Sequence, residues 1–170
     1  MSQANNHVTW CLKKAEKEMQ ESGRHRGLMK IPTNIEEAQN HITKAEHNFD
    51  AVHSFQEMNF SDWSVSAAFY TMYHCLLAIL AKHGYESRNQ ECTISCITML
   101  KEEGKIELSD SIIEALRRVE PDASHEKNVV AMRESFQYGV RISADEEELR
   151  KLTEICKLAL REAKQAIFEK

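Results

Sequence analysis

The sequence predicts an all-α fold: an antiparallel up-and-down bundle of four to five core helices, preceded by one extra N-terminal helix. Three observations carry this. Gly occurs 5 times and Pro 2 times in 170 residues, too few for the turns of a multi-hairpin β architecture. Two long segments place apolar residues at strict 3-4 spacing, the period of one helix face. A third segment, Val65 to Leu80, is apolar on nearly every face, as expected of a helix enclosed by others. No segment alternates as a half-buried strand does.

The elements follow in order. Residues 4–22 form a first helix with Val8, Leu12, Ala15 and Met19 on one face, ended by Gly23 and Gly27 around the basic loop Arg24-His25-Arg26. Pro32-Thr33-Asn34 opens a second, whose early Glu36 and Glu37 suit the positive end of a helix. Its stripe is Ile35, Ala38, Ile42, Ala45, Phe49 and Val52. A break at Asn59 to Asp62 leads into the central helix, Trp63 to His83, stopped by Gly84. A fourth helix, Gln90 to Glu103, buries Ile94, Ile97 and Leu100, and a fifth, Asp110 to Val119, buries Ile112, Ile113 and Leu116 before Pro121. Residues 123–137 form a sixth. Ser143 and Glu146 have the spacing of a capping box, and the last helix carries Leu149, Leu152, Cys156, Ala159, Ala163 and Ala166 at 3-4 spacing. The chain therefore divides into an N-terminal helical extension with a basic loop, residues 1–33, and a helical bundle, residues 34–170.

Composition narrows the function classes. A net charge of −5 argues against a dedicated duplex-DNA binder, which neutralises phosphates with clustered Lys and Arg. Positive charge is concentrated in residues 1–30 (Lys13, Lys14, Lys17, Arg24, Arg26, Lys30). Arg24, Arg26 and Lys30 are the candidate electrostatic contacts to RNA or an acidic partner. The longest unbroken apolar run, Cys75 to Ala81, falls far short of a membrane span, and residues 1–20 lack a signal-peptide core, so no membrane contact and a cytoplasmic location are expected. The 5 Cys form no CxxC pair, and reduced, packed thiols are expected rather than a disulfide framework.

No chemistry is announced by local motifs. Asp50 and His53 have carboxylate-x-x-His spacing, with Glu46 one turn earlier, but a di-metal bundle needs a matching pair on a facing helix. The other pair of that spacing, Asp122 and His125, adjoins Pro121. His41, His47 and His53 point in different directions around their helix and are no ligand set. No nucleophile elbow or phosphate loop is present, and neither metal nor cofactor is expected. His74 reads as a hydrogen-bonded core histidine, and Tyr70 and Tyr73 as core aromatics whose hydroxyls find partners.

The run Ser66-Ala-Ala-Phe-Tyr-Thr-Met-Tyr-His74 through Gly84-Tyr-Glu-Ser-Arg-Asn89 resembles the prokaryotic branch of the HEPN family. Ser66, Phe69, Tyr70, Met72, Tyr73, His74, Gly84 and Glu86 fall on matching positions. A second block, Met132-Arg133-Glu-Ser-Phe-Gln-Tyr138, resembles the arginine, short spacer and aspartate-tyrosine pair that precede the branch's long C-terminal helix. The resemblance spans residues 34–169. It implies a helical bundle that dimerises, with many members acting as metal-independent ribonucleases or as toxins of toxin–antitoxin systems, paired with a minimal nucleotidyltransferase. Active members carry Arg, four to six residues, then His, and two copies form a cleft at the dimer interface. Arginine holds phosphate there, and histidine moves a proton near neutrality.

This chain departs from that motif. Arg133 is followed after four residues by Tyr138, not His, and an ordinary tyrosine, with a pKa of about 10, is a poor base at pH 7. A literal spacing exists at Arg118 and His125, but it spans Pro121, lies elsewhere in the alignment, and arises about once by chance in a chain this rich in Arg and His. The expectation is a catalytically degenerate homodimeric module that binds RNA or nucleotide, or a nucleotidyltransferase partner, through Arg133 with Tyr138 close by. The alternatives are an active ribonuclease toxin using Arg133 or Arg118 with His125, and a helical scaffold unrelated to nucleic acid.

Overall fold

The apolar surface that runs round the central helix needs cover on every side, and the rest of the chain is arranged to supply it. The computed structural model describes residues 2–117 and 129–169. The order is α1 (Gln3–Ser22), β1 (Leu28–Lys30), α2 (Ile35–Glu57), α3 (Ser61–Lys82), β2 (Tyr85–Ser87), α4 (Gln90–Glu102), α5 (Asp110–Leu116), α6 (Val129–Tyr138) and α7 (Glu146–Phe168). Helix α3 is the hub: α2 packs along it most extensively, then α7 and α6, with α4 and α5 completing the enclosure. By length and hydropathy α3 would also pass for a membrane span, but 72% of that stretch is buried inside the bundle. Its fully buried Val65, Met72, Leu76, Ile79 and Leu80 meet Ala38, Ala45 and Val52 of α2 and Cys156, Ala159 and Ala163 of α7 in one core.

Local chemistry sets the ends. Asn34 caps α2 by accepting from the Glu37 N–H at 2.9 Å, and Asn89 caps α4 through the Cys92 N–H at 2.9 Å. Gly84 takes φ 80 after α3, where an added Cβ would lie 2.9 Å from the Ile31 carbonyl oxygen. Lys82 donates to the carbonyls of Ala166 and Ile167 at 2.6 and 2.7 Å, setting an ammonium on the negative end of α7. The capping box of α7 is not Ser143 with Glu146. It is Asp145 with Glu148, two residues later, each side chain accepting from the other's backbone N–H at 2.8 and 2.9 Å.

Two further expectations are corrected. Leu28–Lys30 and Tyr85–Ser87 pair as a two-stranded antiparallel sheet, segments too short to show alternation. The cysteines are also not all reduced: Cys11 and Cys92 form a disulfide with Cα atoms 6.0 Å apart, because α1 lies against α4. Cys75, Cys96 and Cys156 are free and buried. Desolvation pushes the thiols of Cys96 and Cys156 up to about 12, which leaves them packed and inert. The N-terminal segment thus sits on the bundle through the disulfide, the β1–β2 pairing and the burial of Val8 and Ala15.

Candidate functional site

Two helix faces meet around Arg133. On α3, Asp62, Trp63, Ser66 and Tyr70 succeed one another at helical spacing along one face; on α6, Arg133, Phe136 and Gln137 do the same. Together they line a cleft of about 250 Å³. Trp63 and Tyr70 remain 58% and 45% exposed along this cleft. Phe136 is buried at the base.

The arginine is held by a ring instead of a carboxylate. Its guanidinium carbon lies 4.2 Å from the centroid of Phe69, a cation–π contact that fixes the guanidinium plane while leaving its N–H groups to other partners. Phe69 stacks on Tyr73 with centroids 5.8 Å apart. The Tyr73 hydroxyl lies 3.2 Å from the hydroxyl of Thr93, which donates to Ser87 at 2.7 Å. Burial pushes the Tyr73 phenol up. Arg133 is thereby supported by a chain reaching from α6 through α3 to α4 and β2. Its Nε–H is buried and has no hydrogen-bond acceptor, a state that costs stability unless a partner arrives. Asp62, on the opposite wall, is ion-paired to no cation among the described residues. A cation and a carboxylate thus face one cleft without neutralising each other.

The other sequence candidates are placed elsewhere. Tyr138 ends α6 and is 81% exposed; it does not line the cleft, because five residues along a regular helix turn it away from Arg133. Arg118 and His125 lie outside the described residues. Arg24, Arg26 and Lys30 are exposed beside the sheet, where Lys30 pairs with Tyr85. That is beyond the far end of α3, whose last residue lies about 24 Å from Ser66 along the helix axis. The structure brings none of the three to the Arg133 cleft.

Two histidines do meet. His41 Nδ1 and His74 Nδ1 are 3.0 Å apart between α2 and α3. Desolvation, then the neighbouring His41 and Lys44, lowers His74 to about 4, and burial also lowers His41 against a smaller opposing pull from Glu37. His74 is therefore a hydrogen-bonded histidine outside the cleft. Tyr73 has the partner expected of it, whereas Tyr70 is a cleft wall and no core aromatic. No group of three metal-ligating side chains occurs among the described residues, and Glu46 is ion-paired to Lys164. A larger groove of about 470 Å³ separates α1 from α4, where His7 Nδ1 and the Ser95 hydroxyl are 2.7 Å apart.

Sequence reasoning missed Trp63, Ser66, Phe136 and Gln137 as cleft walls. The available signal was the matching helical spacing of 62-63-66-70 and 133-136-137, which places two amphipathic faces opposite one another.

A family model described as HEPN domain matches residues 38–166. The matched span contains both walls of the cleft and excludes α1 and β1. No curated protein matches the chain.

Proposed function

Because the chain belongs to the HEPN-domain family, we propose that it is a module that binds RNA or a nucleotide at the Arg133 cleft and does not cleave it efficiently. One observation carries this reading. A buried, acceptor-less arginine N–H stands in a cleft walled by half-exposed aromatic rings, the combination that holds phosphate and stacks bases in single-stranded nucleic acid recognition. Among the described residues no histidine lines the cleft, so the side chain that most often moves a 2′-hydroxyl proton near pH 7 is not among its walls.

The same proposal includes a homodimer. Met58 and Phe60 precede α3, and Val140 and Ile142 precede α7; all four are exposed. They sit at one end of the bundle, where the Ala144 N–H donates to the Ser61 hydroxyl at 3.0 Å. A second copy seated there would bury more than about 1,000 Å² in a two-fold contact. A minimal nucleotidyltransferase is the protein partner to seek by co-purification.

The test is binding of labelled single-stranded RNA by anisotropy, alongside a cleavage assay in EDTA. Arg133→Ala is expected to weaken binding by roughly 1–3 kcal/mol, the loss of a charge-assisted hydrogen bond, with no cleavage by the parent protein. Efficient metal-independent cleavage abolished by Arg133→Ala would establish the ribonuclease instead. Cleavage abolished by His125→Ala would assign that activity to the Arg118 and His125 pair.

A further inference from the structure

We infer that the Arg133 cleft selects guanine, with Asp62 as the residue that reads the base; this rests on the reading of the cleft as an RNA or nucleotide site. The starting point is the unpaired state of both charges. Arg133 has a buried Nε–H without an acceptor, and Asp62 lines the same cleft without a cation partner among the described residues. A ligand that satisfies both must bring an anion to one wall and hydrogen-bond donors to the other. Between them it must present a flat face to Trp63 and Tyr70, which remain 58% and 45% exposed. A nucleotide has these three features in this order: phosphate, ring, and an edge of N–H groups.

The size and the acceptor chemistry narrow the base. At about 250 Å³ the cleft lies below the usual range of drug-sized pockets, room for one flipped-out base and not for a duplex. A carboxylate is acceptor-only, with two oxygens. Guanine alone among the four bases offers two adjacent donors, N1–H and N2–H, on its Watson–Crick edge. Adenine and cytosine place a ring acceptor beside their amine, and uracil places a carbonyl on each side of its single N–H. Each of these sets a lone pair against one carboxylate oxygen. Gln137, exposed at the rim of the cleft, supplies an amide donor of the kind that suits guanine O6. Single-stranded RNA is read in this way, by stacking plus contacts to Watson–Crick edges.

The experiment uses the full chain and labelled oligouridylate eight-mers carrying one central G, A or C, measured by anisotropy at fixed salt. The G-containing strand is expected to bind at least tenfold tighter than the A- or C-containing strand. The nearly isosteric Asp62→Asn should bring the three within about twofold of one another. Thermal melting checks that Asp62→Asn is folded, and an Asp62→Glu variant serves if it is not, with the preference expected to fall. Trp63→Ala should weaken all strands together. Equal binding of the G and A strands by the parent protein, or a preference that survives Asp62→Asn, overturns the assignment of guanine and leaves the cleft as an RNA site. Absence of binding to every strand, or binding unaffected by Arg133→Ala, overturns the underlying reading.

Discussion

Opening the Cys11–Cys92 bond should be the largest single-site perturbation of this fold. The bond closes a loop across a sequence separation of 81, which encloses β1, α2, α3 and β2. Chain-entropy reasoning for a loop of that length gives about 4.5 kcal/mol of stabilisation, taken from the unfolded state. Residual structure in the denatured chain lowers that figure, while α1 also holds the bundle through buried Val8 and Ala15 and through the β1–β2 pairing. Those contacts persist in the reduced folded protein but do nothing to constrain the reduced unfolded chain. A loss of about 3–4 kcal/mol is therefore expected for the Cys11→Ser, Cys92→Ser double variant. Urea unfolding followed by far-ultraviolet circular dichroism measures it, against the oxidised parent. The midpoint should fall, and the slope should rise, because an uncrosslinked unfolded chain exposes more surface. A shift below about 0.5 kcal/mol would refute the reasoning. So would a loss confined to a small first transition, since α1 would then separate alone and the loop would not constrain the bundle.

The remaining expectations concern the histidine pair and one glycine. His41 and His74 are both lowered in the folded protein, His74 to about 4, against about 6.5 unfolded. The unfolded chain therefore binds protons first as the pH falls. Stability from the pair is complete above about pH 6.5 and is lost progressively down to about pH 4. With solvent screening of these partly exposed rings, the loss should be about 1–2 kcal/mol. His74→Gln should flatten the dependence of the melting temperature on pH over that window, and an unchanged slope would dismiss the pair as its source. Gly84→Ala should destabilise by roughly 1–3 kcal/mol, because its φ of 80 is unfavourable to alanine and the new Cβ would meet the Ile31 carbonyl oxygen at 2.9 Å. A change below about 0.3 kcal/mol in urea unfolding would show that the turn relaxes freely.

Much of the fold was legible because helices advertise themselves within a short window. Asn34 at the head of α2 and Gly84 after the central stripe act within a few residues, so local pattern was enough. Features joining distant residues were not legible. Leu28–Lys30 finds Tyr85–Ser87, and Cys11 finds Cys92, only once α1 is seen to lie on α4. Cysteines among apolar residues read as packed thiols, because the pattern within one helix carries nothing about the sulfur that lies opposite. The site divides in the same way. Arg133 came from the family resemblance, but Tyr70 and Trp63 read as part of an all-apolar helix, and nothing local tells Tyr70 from Tyr73. What distinguishes them is that Tyr73 points toward α4, where its hydroxyl meets Thr93, whereas Tyr70 stays 45% exposed on the cleft wall. Tyr138 was expected near Arg133 because Gly139 could end the helix there; the helix instead stays regular through Tyr138.

The position of Lys82 bears on the order in which the chain is made and assembled. Its acceptors on α7 lie as many as 85 residues downstream or slightly more, whereas α2 and α3 are joined by a short turn and pack locally. On the ribosome, the α2–α3 hairpin has its sequence-local contacts available early, at a synthesis rate of about 5–20 residues per second. The face of α3 that receives Cys156, Ala159 and Ala163 has no cover until α7 has emerged. For several seconds the nascent bundle therefore displays its most apolar helix along one side, the kind of surface that holding chaperones engage. Closure over so long a loop is entropically slow, and the lysine's carbonyl contacts form only when the final turn of α7 is in place.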